Sequence, residues 1–416
     1  MSTRSNYIHQ GVISVSRNKK RLPVRRAFSQ PLRFMPIYYV LFTIYCALNL
    51  LKFTSFQELS WMNIDLLYLL IRIVSALVLG VRILVQRFQA KQYALCLVVG
   101  SCVLASTFIS GSWNILLLLL FLIAGREVDL RKIAIYVLCT NIAVIFLAVI
   151  CSNSGIIEKT TFIAGNGMPE RQAFGFTHPN LFGLAIVTAC CAYAVLRYRK
   201  FGWKDLLIYG VAFCACYELA YSRTSAISIL LIVFLSLFVT IDKHGRWDKL
   251  ILALGSLAFL GLSLFSIWLM VYFKPSISWM SNLNSMMTGR LDLMHHYFET
   301  YGVHMFGFDF SKMQENYRGY YDTFICDNAF AHVVLESGIV VAALLFLAYE
   351  YTLLRGLIVY GELTSKLFGL IIFIFVAFSE SGAFWICVNF CLVALAEPFF
   401  SLHSKLPNNK QLNNLY

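Results

Sequence analysis

The sequence predicts an all-α membrane protein, a polytopic helical bundle of about 12 transmembrane helices. Of the 416 residues, 59% are hydrophobic and 13% are charged, which is about half the charged fraction of an ordinary soluble domain. The apolar residues fall in long stretches that short polar segments separate. Because the bilayer offers no hydrogen bonds to the backbone, stretches of this length are expected to be helical.

Twelve apolar stretches are candidate membrane spans. A span needs about 20 apolar residues, or fewer where neighbouring helices or local thinning of the bilayer help. The fourth and the eleventh stretches are the shortest. In chain order the candidates are 37–51, 64–85, 93–110, 112–125, 132–150, 180–196, 205–221, 224–241, 249–272, 329–354, 366–379 and 383–399.

The distribution of charge predicts the orientation of these spans. Residues 1–36 carry eight Lys and Arg and no acidic residue, in a chain of net charge +13. A cytoplasmic tail that attracts anionic lipid explains this run better than nucleic-acid binding does, so no nucleic-acid partner is expected. The positive-inside rule then places both termini in the cytoplasm of a multi-pass cell-membrane protein, with residues 401–416 as a second tail. The bundle occupies 37–400 and includes two long extracellular loops, 151–179 and 273–328.

The first polar motif, RQAFGFTHPN (171–180), joins the first long loop to the sixth span. Pro179 suits the first turn of a helix, and Thr177 or His178 is expected to cap it. Arginine presents a planar fork of donors that matches phosphate. The motif is therefore either a loop-to-helix junction without chemistry or a site where Arg171 and His178 flank a headgroup, with Asn180 in support.

Two further arginines lie at predicted ends of spans on the same side. Arg223, in YSRTS (221–225), is either a side chain that reaches towards lipid headgroups or part of a polar cavity. Arg290, in TGR (288–290), begins a predicted amphipathic helix, whose free N–H groups attract anions. The alternative for Arg290 is a solvated loop charge. A membrane chain that gathers arginines on one side is expected to handle a phosphorylated substrate there.

The last motif, DNAFAHVVLE (327–336), runs from the second long loop into the tenth span. Asp327 is expected to cap that helix, either as a cap alone or also as a general base on a sugar hydroxyl. His332 and Glu336 follow at intervals of about one turn, so they share a face with Asp327. Glu336 and Glu380 are ionisable groups at or inside the membrane boundary, where such groups are functional or paired with arginines.

No metal or other cofactor is expected. Asp292, His295, His296 and Glu299 have a spacing that resembles a metal site, but a polar helix face explains it more simply. Neither HExxH nor DxD, two sequences that often bind catalytic metals, is present.

The four motifs, in this order and on these loops, resemble the O-antigen ligase and polymerase superfamily. They are most similar to Wzy-type oligosaccharide repeat-unit polymerases of Gram-positive bacteria. The resemblance covers roughly residues 160–345; the first five spans match in hydropathy alone. Related ligases carry a His-Asn pair where this chain has Asp327 and Asn328. Asp327, His332 and His178 thus remain alternative bases.

The resemblance implies a metal-independent membrane glycosyltransferase of GT-C-like architecture. Its substrates would be undecaprenyl-diphosphate-linked oligosaccharides, polymerised on the outer membrane face for capsule or exopolysaccharide. Arg171, Arg223 and Arg290 would bind the diphosphate, with Asn180, Asn328 and Glu336 in support. Membrane lipids, a flippase and a chain-length regulator of the same pathway are the implied partners. The alternatives are a ligase that transfers finished glycan to another acceptor, and a flippase or transporter of the same lipid.

Overall fold

The computed structural model describes residues 34–162, 170–242, 244–313 and 324–400. The basic tail before residue 34 and the tail 401–416 lie outside the described residues. A short antiparallel pair, β1 Thr161–Phe162 and β2 Arg171–Gln172, is the sheet found among them. The helices of the described residues are α1 Phe34–Leu51, α2 Ile64–Val85, α3 Ala90–Ser110, α4 Asn114–Ala124, α5 Leu130–Asn153, α6 Pro179–Leu196, α7 Trp203–Cys214, α8 Arg223–Ile241, α9 Asp248–Tyr272, α10 Ser278–Met286, α11 Arg290–Tyr301, α12 Ala329–Ser337, α13 Ile339–Arg355, α14 Ser365–Ser379 and α15 Glu397–Phe400.

The structure is an all-α membrane bundle, as the sequence predicts. Eight helices of the described residues are long and apolar enough to cross a membrane: α1, α2, α3, α5, α6, α8, α9 and α13, the last with its continuation to Tyr360. Three apolar segments are shorter, namely Asn114–Ala124, Ser365–Ser379 and Phe390–Phe400. Helix α7 continues as one π-helical turn, Ala215–Leu219, which ends just before the YSRTS motif.

The tenth predicted span, 329–354, is not one helix, and the prediction was wrong there. It breaks at Gly338, whose φ of 87° ends α12 and starts α13 in a new direction. The strand-like segment after α11 occupies the break: the backbone N–H of Phe308 donates to Glu336 O at 3.3 Å. The approach is close enough that a Cβ on Gly307 would lie 2.0 Å from that carbonyl oxygen.

The twelfth predicted span, 383–399, is also not a continuous α-helix. It consists of the 3₁₀ turns Ser381–Phe384 and Phe390–Ala396 and the short α15. The segment 390–396 is buried throughout, where it packs against α4, α5 and α14. Its apolar composition thus reflects burial inside the bundle, which hydropathy cannot distinguish from exposure to lipid.

Helix α6 lies at the centre of the bundle, buried along most of its length against α5, α8 and α14. Helices α6 and α8 both begin at one end of the bundle, which we call the site end. Gly183 permits their close approach, since a Cβ there would lie 2.4 Å from Ser225 Oγ. The residues that precede α6 and those that precede α8 therefore lie close together at the site end.

Helix α12 crosses the bundle near the site end. At its start, Asn328 Nδ2 donates to Ser266 Oγ of α9 at 2.9 Å and to Phe378 O of α14 at 3.2 Å. At its end, Ser337 O accepts from Ser106 Oγ of α3 at 2.8 Å. Helix α12 therefore connects the centre of the bundle with the α3 side.

Candidate functional site

The three arginines singled out in the sequence meet at the site end. The positive charges of Arg290 and Arg223 both act on Arg171 and, after the larger effect of burial, lower its pKa. We call these three side chains the arginine cluster. Like charges that interact in this way cost free energy unless opposite charges offset them. Asp327 and Glu380 offset part of this positive charge, and a bound anion would offset the rest.

Arg171 is held by the strand β2 and by two hydrogen bonds. Its Nη2 donates to Asn180 Oδ1 at 2.7 Å and its Nε to Ala220 O at 3.4 Å. Asn180 Oδ1 also accepts from Ser222 Oγ at 3.4 Å. Asn180 therefore joins the first motif to the second and orients Arg171, the supporting position expected of it.

His178 caps α6, one of the two caps that the sequence allowed. Its Nδ1 accepts from the backbone N–H of Asn180 at 3.1 Å. Burial, and then the charge of Arg171, lower the pKa of His178 to about 4, against the opposing effect of Asp327. The ring is thus neutral near pH 7, and its one proton lies on Nε2 because Nδ1 is an acceptor. In this state His178 offers a donor to a bound anion, and it is a poor base.

Arg223 occupies the first position of α8 and is exposed. Among the described residues it makes no hydrogen bond and no ion pair, so its guanidinium is available to a ligand. The chain is strained just before it, since Tyr221 has a φ of 48°. Phe174 and Thr288 also have positive φ values, of 52° and 56°. All three arginine motifs therefore carry backbone strain, which clusters at functional sites.

Arg290 joins two carboxylates that are distant in sequence. Its Nε lies 3.0 Å from Asp327 Oδ2 and its Nη1 lies 3.8 Å from Glu380 Oε1, and Nη1 also donates to Ser379 O. The Arg290 side chain is only 10% exposed. It is therefore not the solvated loop charge that the sequence left open.

The start of α11 differs from the expectation. The sequence predicts that free N–H groups there would help to bind phosphate. In the structure, the N–H groups of Leu291 and Asp292 both donate to Asn284 Oδ1, at 3.0 Å and 3.1 Å. Because a side chain already satisfies these donors, any phosphate contact at this point comes from Arg290 and not from the helix terminus.

Asn328, rather than Asp327, caps α12, which corrects the predicted cap. Asn328 Oδ1 accepts from Ala331 N at 3.1 Å, while its Nδ2 fixes the helix to α9 and α14. Asn328 is 4% exposed, so its role is structural support. Asp327 is left free of capping and pairs with Arg290 at the mouth of the site.

Glu380 is the central residue that the sequence singled out only as a boundary carboxylate. It follows α14, is 6% exposed, and accepts from Thr224 Oγ1 at 2.9 Å. Burial raises its pKa to about 7; Arg290 opposes this rise, and the charge of Asp327 adds to it. The sequence feature that points to Glu380 is its position, as a single carboxylate between two apolar stretches on the same predicted side as several arginines.

His332 and Glu336 lie elsewhere on α12, in a second group. His332 Nε2 is 3.3 Å from Glu336 Oε2, although neither ring nitrogen makes a well-aligned hydrogen bond. Glu336 also interacts with Arg72 of α2 and with Ser112 before α4. We call these four residues the α12 cluster. The predicted site residues His332 and Glu336 therefore lie together, but apart from the arginine cluster.

A continuous series of hydrogen bonds and ion pairs thus connects all four motifs at the site end. Within the part of the chain that the structure describes, no group of three or more His, Cys, Asp or Glu side chains is arranged to hold a metal ion. Comparison with protein-family models, with curated proteins and with solved structures found no match. The functional assignment must therefore come from the geometry of the arginine cluster and its carboxylates.

Proposed function

We propose that this membrane protein is a polysaccharide polymerase that joins undecaprenyl-diphosphate-linked oligosaccharide repeat units on the outer face of the cell membrane. The observation that carries the proposal is the arginine cluster, with Asp327 and Glu380 beside it, at one end of a membrane bundle. A diphosphate carries negative charge, which would balance the positive charge of the arginine cluster. A lipid-linked substrate brings that diphosphate to the end of a membrane helix.

The reaction requires stabilisation of a leaving diphosphate. A hydroxyl oxygen of the incoming unit attacks the anomeric carbon of the growing chain and forms the new glycosidic bond. The bond from that carbon to the diphosphate oxygen breaks, and its electron pair stays on the diphosphate. Arg171, Arg223 and the Nε2–H group of His178 would donate to that developing charge, and each well-placed donor is worth about 3–4 kcal/mol in such sites.

The hydroxyl must lose its proton as the bond forms. Glu380 fits this role best, because a base acts most efficiently when its pKa is near the working pH and its own pKa is about 7. Arg290 holds Asp327 next to Glu380, so Asp327 orients the acceptor and tunes Glu380. His178 is occupied as a cap, and His332 lies in the α12 cluster, which makes both less suitable bases.

The function is tested with purified protein in lipid nanodiscs and one lipid-linked repeat unit. We expect a ladder of products that grow by one repeat unit at a time, with release of the lipid diphosphate. Transfer to a different acceptor without a ladder would indicate a ligase. Movement of intact substrate across vesicles, with no new glycosidic bond, would show that the protein is a transporter and not a transferase.

Replacement of Arg223 with alanine is expected to slow elongation by about 100-fold, since one preorganised donor to the diphosphate is lost. Because Arg223 is exposed and has no partner among the described residues, the thermal unfolding temperature should not change. Arg131 provides the matched control, as an exposed arginine in the first turn of α5 at the opposite end of the bundle. Equal rates for Arg223→Ala and Arg131→Ala would remove Arg223 from the site.

A further inference from the structure

An apolar groove lies between α3, α4 and α13, open on one side. Its volume is about 430 Å³, within the range of pockets that bind ligands, roughly 300–1,000 Å³. The lining is aliphatic and aromatic almost throughout and includes Val99, Leu119 and Ala348. Phe399 and Phe400 line it at the end away from the site. A groove of this composition suits a hydrocarbon chain.

Towards the site end, polar residues lie close in sequence to residues that line the groove. Val103 lines it one turn before Ser106, whose Oγ donates to Ser337 O at 2.8 Å. Ile115 lines it three residues after Ser112, a member of the α12 cluster. The groove and the α12 cluster are therefore neighbours, at one end of α12.

The α12 cluster contains buried nitrogens without a hydrogen bond among the described residues, although His332 Nε2 lies 3.3 Å from Glu336 Oε2. His332 is 5% exposed and neither ring nitrogen has a hydrogen bond among the described residues; Arg72 Nε is buried and also without one. The Arg72 guanidinium lies over the rings of Tyr68 and Trp113, at 5.1 Å and 5.2 Å from their centres. Glu336 offsets part of the positive charge, so the cluster suits a polar head with both donors and acceptors.

The head end of the groove argues against an ordinary phospholipid as occupant. A phospholipid of the bulk membrane keeps its head at the membrane surface. Here the α12 cluster lies beside the lining of the groove, and its buried nitrogens have no hydrogen bond among the described residues. The matching ligand is a lipid whose polar head enters the bundle while its chain stays outside.

We propose that the groove and the α12 cluster hold the second substrate of the reaction, the lipid-linked acceptor, with its polyprenyl chain in the groove. The inference rests on the proposed polymerase function. Helix α12 has nine residues and is about 13 Å long at 1.5 Å per residue. His332 and Glu336 of the α12 cluster follow Asp327 by five and nine residues, or roughly 8 Å and 13 Å along the helix axis. The acceptor's glycan would extend along α12, which brings its far, reactive sugar to the arginine cluster.

The test narrows the groove with Ala348→Trp. The donor has a blocked acceptor hydroxyl, and the acceptor's sugar is joined to its diphosphate through a non-cleavable carbon linkage. The acceptor and the product then have no leaving group, so the assay is limited to one transfer and the KM of each substrate is measured separately. For an acceptor with a full-length prenyl chain, we expect the KM to rise about tenfold, as a loss of roughly two buried methylenes implies. The KM for an acceptor with a very short chain, and the KM for the donor, should stay unchanged. Ala343→Trp, on the exposed side of α13 outside the groove, is the control.

A binding measurement makes the test independent of turnover. A photoreactive polyprenyl diphosphate should label residues around Leu119 and Leu344 in the wild-type protein, and Ala348→Trp should suppress that labelling. If only a photoreactive phospholipid labels the groove, the inference is overturned. The inference is also overturned if Ala348→Trp raises the KM of the donor, or if it changes neither the KM of the donor nor the KM of the long-chain acceptor. A wild-type protein that labels in the groove but forms no glycosidic bond would instead overturn the proposed polymerase function.

Discussion

Replacement of Arg290 with alanine is expected to abolish elongation, with a loss on the order of 100- to 1,000-fold, and also to destabilise the protein. Both effects have one cause. Arg290 lies between Asp327 and Glu380 and also donates to Ser379 O. Without it, the buried Glu380 and the partly exposed Asp327 lose their opposing charge, and the loss of one partner of a buried ion pair costs several kcal/mol. Initial rates and thermal unfolding in the same detergent measure the two effects.

A second variant separates the structural role of Arg290 from its role in the reaction. In Arg290→Ala with Glu380→Gln, the buried carboxyl group that lost its partner is replaced by a neutral amide, so much of the lost stability should return. Activity should not return, because neither the guanidinium nor the carboxylate is present. Arg290→Lys keeps the charge but loses the planar fork, and should fold while it elongates slowly. Full activity in Arg290→Lys together with wild-type stability in Arg290→Ala would contradict both roles.

The membrane fold was predictable because the bilayer imposes length and polarity on each helix. The errors came from segments where burial in protein replaces contact with lipid. Residues 390–396 are as apolar as a span but form 3₁₀ turns inside the bundle. The break at Gly338 depends on the segment around Gly307, which is far away in sequence. Hydropathy measures neither of these contacts.

The residues of the candidate site were named from the sequence, but the contacts between them were not predictable from it. The arginines and Asp327 could be found because ionisable side chains are rare within spans and arginine is less common at the outer ends of spans than at the cytoplasmic ends. The partner of each charge depends on tertiary packing. Thus Glu380 meets Arg290 across 90 residues of chain, whereas His332, near Asp327 in sequence, faces Glu336. Tertiary packing also explains why Asn328 and not Asp327 caps α12, since the side chain of Asn328 is held by hydrogen bonds to α9 and α14.

Glu380→Gln is expected to reduce elongation by about 10²- to 10⁴-fold, the usual contribution of a general base. In the wild-type protein, the rate should rise with pH through about 7, the pKa of Glu380, because only the carboxylate accepts a proton. The glutamine variant should lose this rise. Asp327→Asn should move the rise to lower pH, because the negative charge of Asp327 is one of the causes that raise the pKa of Glu380.

Stability gives a check on Glu380 that does not depend on turnover. Its pKa is raised from 4.5 in the unfolded chain to about 7 in the fold, so the fold favours the neutral acid. Its stabilising contribution is complete below pH 4.5 and is lost as the pH rises to about 7. His178, whose pKa is lowered to about 4 in the fold, contributes stability that grows with pH over nearly the same window. The loss from Glu380 is therefore measured as the difference in unfolding free energy between the wild-type protein and Glu380→Gln, which should shrink as the pH rises from 4.5 to about 7. If Asp327→Asn removes the rise in rate while Glu380→Gln keeps it, the base is Asp327, and Glu380 only neutralises Arg290.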